Sequence, residues 1–397
     1  MKKNFKKFTT IITCIFLFIT SFALYARAEI KYGNIRIYPE IYVQEMFRDN
    51  IYQTQRDKNS DFITTIAPSL TMAYLFGPNS FRIGYRAGFL QYARFSKNNY
   101  VDQNGFTSLN LRFPSGLDID AQYDYKNSVR ERTAEIARQR PYEESIGNLG
   151  VAYKFADRWK ARAFWTYDDL AFKSDRFDRT ESYTQNTYGA QLYYRLTARM
   201  STLVEYNYIY KDFFSSDNSD HKDNLIYAGV AFDPAGKLKG ELKGGYGWKK
   251  FKNSLAGRNN SPKTWIIAMN ATQDFTKRTS LALNASRGFQ DDTDFGNASY
   301  IATSVSLALQ HMLTSKIGGV IGGGFSENAY LDDTREPVTN VLKKRTDKIW
   351  SANVGLFYNI QRWLEARLEY SYQDKDSNFQ NYSFRENRVW FRVKFSP

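Results

Sequence analysis

A single cysteine, Cys14, among 397 residues excludes a fold stapled by intrachain disulfides. Two histidines, His221 and His311, leave little material for a histidine-rich metal centre or acid–base relay. Outside the first 28 residues no apolar run approaches the ~20 residues a membrane helix needs, and the mean hydropathy is −0.56, so a polytopic helical membrane protein is excluded. Glycine-rich phosphate loops, CxxC and HExxH are also missing. Aromatics are abundant instead, with 30 Phe, 29 Tyr and 7 Trp. Together with many β-branched residues, they exclude intrinsic disorder. The chain is β-rich and tyrosine-rich.

Lys2, Lys3, Lys6 and Lys7 precede an apolar stretch from Phe8 to Leu24, and Ala26-Arg27-Ala28 supplies a processing site. This is the pattern of an export signal peptide over residues 1–28. A lipoprotein signal would need small residues before Cys14, where Ile12 and Thr13 stand. Removing 28 residues and five basic side chains leaves 369 residues (29–397), with 50 basic groups against 41 acidic ones. An exported chain of this length without a disulfide must be stabilised by other means.

One pattern then repeats to the end. In Leu117-Asp118-Ile119-Asp120-Ala121-Gln122-Tyr123-Asp124-Tyr125-Lys126 apolar and polar residues alternate with a period of two. The same grammar recurs at 159–163, 238–243 and 364–370, with weaker copies between them. A soluble sandwich also alternates, so the connections decide. Short turns at 77–79, 114–116, 156–158, 197–199, 234–236, 276–279, 312–315 and 361–362 alternate with long polar segments. The long segments are 49–60, 95–105, 128–145, 173–184, 212–223, 251–262, 290–298, 328–346 and 374–386. Tight periplasmic turns and long extracellular loops mark a bacterial transmembrane barrel. Eight short turns and nine long loops predict an all-β, antiparallel β-barrel of about 18 tilted strands (range 16–20), each of roughly 9–11 residues, forming one domain over 29–397. Closure gives every backbone N–H and C=O a partner in hydrocarbon.

Aromatics near the strand ends (Tyr74, Phe76, Trp159, Trp248, Trp265, Trp350, Trp363) suit interfacial girdles. Pro39 and Pro68 are expected at strand ends or bulges, because proline cannot donate to a ladder. The last segment, Val389-Trp390-Phe391-Arg392-Val393-Lys394-Phe395, alternates apolar and basic residues and closes on an aromatic. It resembles the assembly signal of outer-membrane barrels, with Phe391, Val393 and Phe395 as its outward residues, although Ser396-Pro397 overhang it.

A further resemblance lies in the first quarter of the chain. Ile35-Arg36-Ile37-Tyr38-Pro39-Glu40-Ile41 leads to Arg48-Asp49-Asn50-Ile51, then Asp61-Phe62-Ile63, Pro68-Ser69-Leu70, Tyr85 and Tyr92. This resembles a family of outer-membrane β-barrel porins found beside exopolysaccharide and exosortase gene clusters. The resemblance implies an outer-membrane protein tied to polysaccharide export, and it carries no catalytic residues.

A barrel of this size leaves an aqueous channel unless something fills it. Parity opposite to the apolar set assigns to its lumen the basic residues Arg36, Arg82, Arg86, Arg112, Lys126, Lys154, Lys160, Arg162, Arg195, Lys211, Lys239, Lys243, Lys249, Arg367, Arg388, Arg392 and Lys394. The acidic set is Glu40, Asp118, Asp120, Asp124, Asp168, Glu205, Glu241, Glu365 and Glu369, so 17 basic residues stand against 9 acidic. Such a wall attracts anions; the bland alternative is charge paired across neighbouring strands. Tyr193, Phe164, Tyr227, Phe357 and Trp390 share this parity, either to stack on sugars or to fill space. Loop 128–145 is expected to matter less for selectivity than these wall residues.

These readings favour a porin-like channel for small solutes, anionic ones among them, with no enzymatic activity, cofactor or metal. The alternatives are an accessory of exopolysaccharide export and, more remotely, a barrel hydrolase using His221, whose bland reading is a solvated loop histidine. Expected partners are outer-membrane lipid and lipopolysaccharide, the barrel-assembly machinery and polysaccharide-export components. Nucleic acid is not expected despite the basic charge.

Overall fold

The computed structural model describes residues 30–136, 138–173, 181–214, 220–232, 235–253, 259–291 and 299–396. The expected signal peptide, 1–28, lies outside the described residues, as do parts of five long loops.

Each alternating segment forms a strand. A stub, β1 (Ile30–Tyr32), precedes β2 (Ile35–Arg48), β3 (Asp61–Phe76), β4 (Asn79–Tyr92), β5 (Tyr100–Arg112), β6 (Leu117–Arg130), β7 (Arg140–Phe155), β8 (Trp159–Phe172) and β9 (Tyr183–Thr197). There follow β10 (Met200–Phe213), β11 (His221–Phe232), β12 (Leu238–Phe251), β13 (Lys263–Asp274), β14 (Thr279–Asp291) and β15 (Ser299–Met312). The last four are β16 (Ile317–Arg335), β17 (Leu342–Gln361), β18 (Leu364–Ser377) and β19 (Phe384–Phe395). From β2 onward every strand pairs antiparallel with its neighbours in sequence, and β19 pairs with β2 from Arg388↔Arg48 to Phe395↔Ile41. The wall is therefore a closed ring of 18 strands, β2 to β19. Closure satisfies the ladder without an edge.

The outward face is oily. Leu70, Met72, Ile83, Val151, Leu192, Val204, Leu307, Ile321, Val354 and Leu368 are all exposed on the free protein, as suits lipid contact. Aromatics gather toward its borders. Near the short turns Tyr74 stacks on Phe76 at 5.4 Å, while Trp159 lies 6.4 Å from Phe155 and 4.8 Å from Tyr194. Toward the long loops Trp350 packs on Phe325 at 4.5 Å, and Trp265 is exposed. Also at a short turn, Trp363 packs edge-on against Phe395 at 5.3 Å.

Three expectations need correction. Strands run to 20 residues in β17 rather than the roughly 9–11 a bilayer requires. Pairing continues into water, where polar residues on both faces cost the ladder nothing. The expected loop 328–346 is mostly a β16–β17 hairpin around 336–341, with a register shift between Ala329 and Asp333. Likewise 100–105 belong to β5, and the last loop shrinks to 378–383.

The third correction concerns the prolines, both of which sit inside strands. Pro68 falls where the β3–β4 pairing skips from Ile66↔Phe89 to Ser69↔Arg86. Pro39 falls where one edge of β2 passes from the stub (Ile30↔Ile37) to the end of β19 (Phe395↔Ile41). Each proline, which lacks an N–H to donate, thus sits where one of its strand's two ladders is interrupted.

Candidate functional site

Side-chain parity sends one face of every strand into the ring. Arg82 and Arg86 of β4, Arg112 of β5, Asp118, Asp120, Asp124 and Lys126 of β6, and Lys160 and Arg162 of β8 lie opposite the exposed apolar face. So do Arg195 of β9, Glu205 of β10, Lys239, Glu241 and Lys243 of β12, Glu365, Arg367 and Glu369 of β18, and Arg392 of β19. Many are already paired across the wall. Arg112 meets Asp120 at 2.6 Å and Asp118 at 3.7 Å; Lys243 meets Glu205 at 2.5 Å; Arg367 meets Glu369 at 3.0 Å; Lys394 meets Glu40 at 2.7 Å.

Inward acids absent from the sequence-based set complete further pairs. Asp102 faces Arg86 at 3.6 Å, and Asp274 faces Lys239 at 2.6 Å. The positive surplus is thus smaller than 17 against 9 implies, and it is localised. In the half of the lumen next to the short turns, Arg82, Lys160, Arg162, Arg195 and Arg392 have no carboxylate partner within 4 Å among the described residues. In that half only Glu241 and Glu365 of the predicted acids lack a cationic partner by the same measure. Arg162 and Arg392 instead donate to Gln191 (3.2 Å) and Gln44 (2.7 Å), while the Lys160 ammonium sits 5.3 Å from the Tyr193 ring.

The other half of the lumen is crossed by the chain itself. Residues 131–136 and 138–139, between β6 and β7, fold inward. Glu131 accepts from Arg48 of β2 at 2.5 Å and from the Tyr92 hydroxyl of β4 at 2.8 Å. Glu135 accepts from Arg345 of β17 at 2.6 Å and from Lys375 of β18. Gln139 donates to the Asn98 carbonyl at 2.8 Å, and Thr133 Oγ accepts from the backbone N–H groups of Glu135 and Ile136, tightening the turn. Strand β17 stands seven positions from β6 around the ring of 18, so these contacts run through the interior.

The cations are held before the loop arrives. Arg48 also donates to Glu386 at 2.6 Å, and Arg345 donates to Asp347 at 2.6 and 3.0 Å. Burial tends to raise the Glu131 carboxyl, but the charge of Arg48 and the donors Arg48 and Tyr92 outweigh it, holding the group below the ordinary glutamate range.

The residues that carried the family resemblance build the platform for this latch. Asn50 is fully buried and donates to the Thr54 and Arg385 carbonyls, while Asp49 accepts from the backbone and side chain of Asn387 at 2.8 and 2.6 Å. Asp61 accepts from the backbone N–H groups of Arg94 and Phe95. Ile51, Ile63 and Tyr92 form one apolar cluster. Together they fix Arg48 and the Tyr92 hydroxyl where Glu131 meets them.

Loop 128–145 is therefore no detached outer loop. Arg48, Glu131, Glu135, Arg345, Asp347, Lys375 and Glu386 were all missed by the sequence-based set. Arg48 was legible, since it continues the inward parity of Gln44.

His221 is not a solvated loop residue; its ring faces the Asp291 and Asp223 carboxylates at 3.4 and 3.8 Å. It opens β11, is buried, and stands 2.8 Å from the Lys249 ammonium. Lys249 in turn meets Asp291 at 2.8 Å, which also accepts from Lys211 at 3.2 Å and from the Ser299 hydroxyl at 2.8 Å. This network braces the ends of five strands. The lumenal aromatics are braced as well. Phe164 and Phe357 lie over Gly189 and Gly318, where any Cβ would overlap the rings. Trp390 sits between Arg367 and Arg392, at 5.6 and 4.8 Å.

Solved structures are similar to the chain at low identity. The outer membrane protein opdK from Pseudomonas aeruginosa is 12% identical with TM-score 0.47, over 91% of this chain and 99% of that one. OccK2 (OpdF) from the same organism, in complex with glucuronate, is 10% identical with TM-score 0.49, over 93% and 98%. No curated protein matches the sequence. The family model described as "Putative beta-barrel porin 2" matches residues 23–396. The chain belongs to that family and is an outer-membrane β-barrel of porin type.

Proposed function

We propose that the protein is a passive channel for small solutes that favours anions, without enzymatic activity, and that it reaches the outer membrane through the signal peptide at 1–28. The observation that carries this reading is the imbalance in the short-turn half of the lumen. There five cations without a carboxylate partner (Arg82, Lys160, Arg162, Arg195 and Arg392) stand against Glu241 and Glu365. Charge already paired across strands presents little field to a passing ion, whereas unpaired charge on a low-dielectric wall focuses it. At the other end Arg48, Arg345 and Lys375 narrow the passage, each with its charge paired to Glu131, Glu135, Glu386 or Asp347. Selectivity therefore arises below the constriction. A role in exopolysaccharide export would rest on the gene-cluster resemblance alone; Phe164 and Phe357 pack over the wall glycines Gly189 and Gly318.

The test is ion selectivity of the purified protein in planar bilayers. Wild type is expected to pass chloride more readily than potassium. Arg82→Gln/Lys160→Gln/Arg162→Gln is expected to lose most of that preference at unchanged open-channel lifetime. A cation preference in wild type would overturn the reading.

A further inference from the structure

The short-turn rim carries a recess that the passage of ions does not itself require. It lies between the turns 156–158 and 198–199, encloses about 690 Å³, and opens past Lys160, Tyr193 and Glu241. That volume falls within the roughly 300–1,000 Å³ of small-molecule sites.

Five cations line it: Lys154, Arg158, Lys160, Arg195 and Arg199. Only two carboxylates do, Asp157 and Glu241, so the local balance is +3 (five less two). Much of this charge is uncommitted. Arg195 donates to the Asp157 carbonyl rather than to a carboxylate. The long contact of Arg158 is to the Tyr194 hydroxyl at 3.4 Å. Glu241 is turned to the Tyr193 hydroxyl at 3.1 Å. Lys154 reaches only to Asp118, at 3.5 Å, and is largely exposed.

We propose that this recess is a binding site for a small polyvalent anion, one carrying two or more carboxylate or phosphate groups, at the short-turn mouth of the barrel. The inference deepens the channel reading, on which its solute class rests. Polyvalence follows from the energetics. A single exposed charge pair contributes little, and association carries a large entropic cost. Only a ligand that engages several of these cations at once is held. Mono-anions such as chloride pass the same cations without settling.

The experiment is a calorimetric titration of the folded full-length protein in detergent with citrate, with acetate as the monovalent control. Citrate is expected to bind saturably and acetate not to bind. Lys160→Gln/Arg195→Gln is expected to weaken citrate about five- to thirtyfold, from two lost charge contacts. Arg56→Gln/Lys58→Gln removes the same charge from an exposed loop on the opposite rim and is expected to leave the affinity unchanged. Heat-dependent gel mobility establishes that each variant is folded. Undetectable citrate binding by folded wild type, or equal affinity in Lys160→Gln/Arg195→Gln, overturns the site. The titration needs no current. Citrate binding by a non-conducting protein would sink the channel reading and leave the site standing, whereas anion-selective conduction without citrate binding would do the reverse.

Discussion

Replacing both latch glutamates, Glu131→Gln and Glu135→Gln, tests whether residues 131–136 and 138–139 narrow the lumen. Each glutamate accepts two hydrogen bonds from wall residues, and both carboxylates are mostly screened from water, with 31% and 16% side-chain exposure. A hydrogen bond to a charged group contributes about 1.5–3 kcal/mol. The cations are not stranded by the change, since Arg48 keeps Glu386 and Arg345 keeps Asp347. The penalty for an uncompensated buried charge, about 3–5 kcal/mol, is therefore avoided. Glutamine also retains part of each contact. The net loss is then about 1–2 kcal/mol per site, or about 2–4 kcal/mol together, which moves the released fraction of the loop some thirtyfold to several hundredfold. Single-channel recording should show a larger, noisier conductance than wild type. Trypsin should cut at Arg132 or Arg138 more quickly. Unchanged conductance together with unchanged proteolysis would refute the latch.

Acid should release the same loop. Because the Glu131 carboxyl is held below its ordinary value of about 4.3, its contribution is present above that range and is lost as pH falls through the depressed value. Conductance should be steady from pH 7 to 5 and rise only below about pH 4; a transition near pH 6 would contradict the assignment. Phe395→Ala removes a ring that is 5% exposed and packed on Trp363, at the strand that closes the ring against Ile41. Insertion should fall strongly and the surviving barrels should unfold at lower temperature, whereas deleting Ser396-Pro397 should do little; equal surface levels of Phe395→Ala and wild type would count against it. Gly189→Val drives a side chain into the Phe164 ring, and should lower thermal stability more than Gly288→Val, at which a Cβ meets nothing within 4 Å. Equal melting temperatures would show that the ring swings away freely.

Period-two alternation and the short/long asymmetry of the connections made eighteen strands and their inward faces legible, because a closed sheet obliges every strand to obey one parity. Parity weakens where strands leave the bilayer. There Arg345 and Lys375 sit in polar stretches that read as loops, although both lie in strands and point inward. Nor does any local signal mark Glu131-Arg132-Thr133-Ala134-Glu135 as an inward segment. Its partners are 83, 210 and 240 residues away, and a solvated loop has the same composition. Pro39 and Pro68 misled for the opposite reason. Each sits inside a strand at a rung where the pairing to one neighbour is interrupted.

The most direct test of the central claim is the reversal potential of single channels across a potassium chloride gradient. At about 0.1 M salt, where the Debye length is about 10 Å, the unpaired cations of the short-turn half should give a chloride preference. It should fade toward 1 M, where the length is about 3 Å. A potassium preference at low salt, or a chloride preference indifferent to salt, would contradict the account.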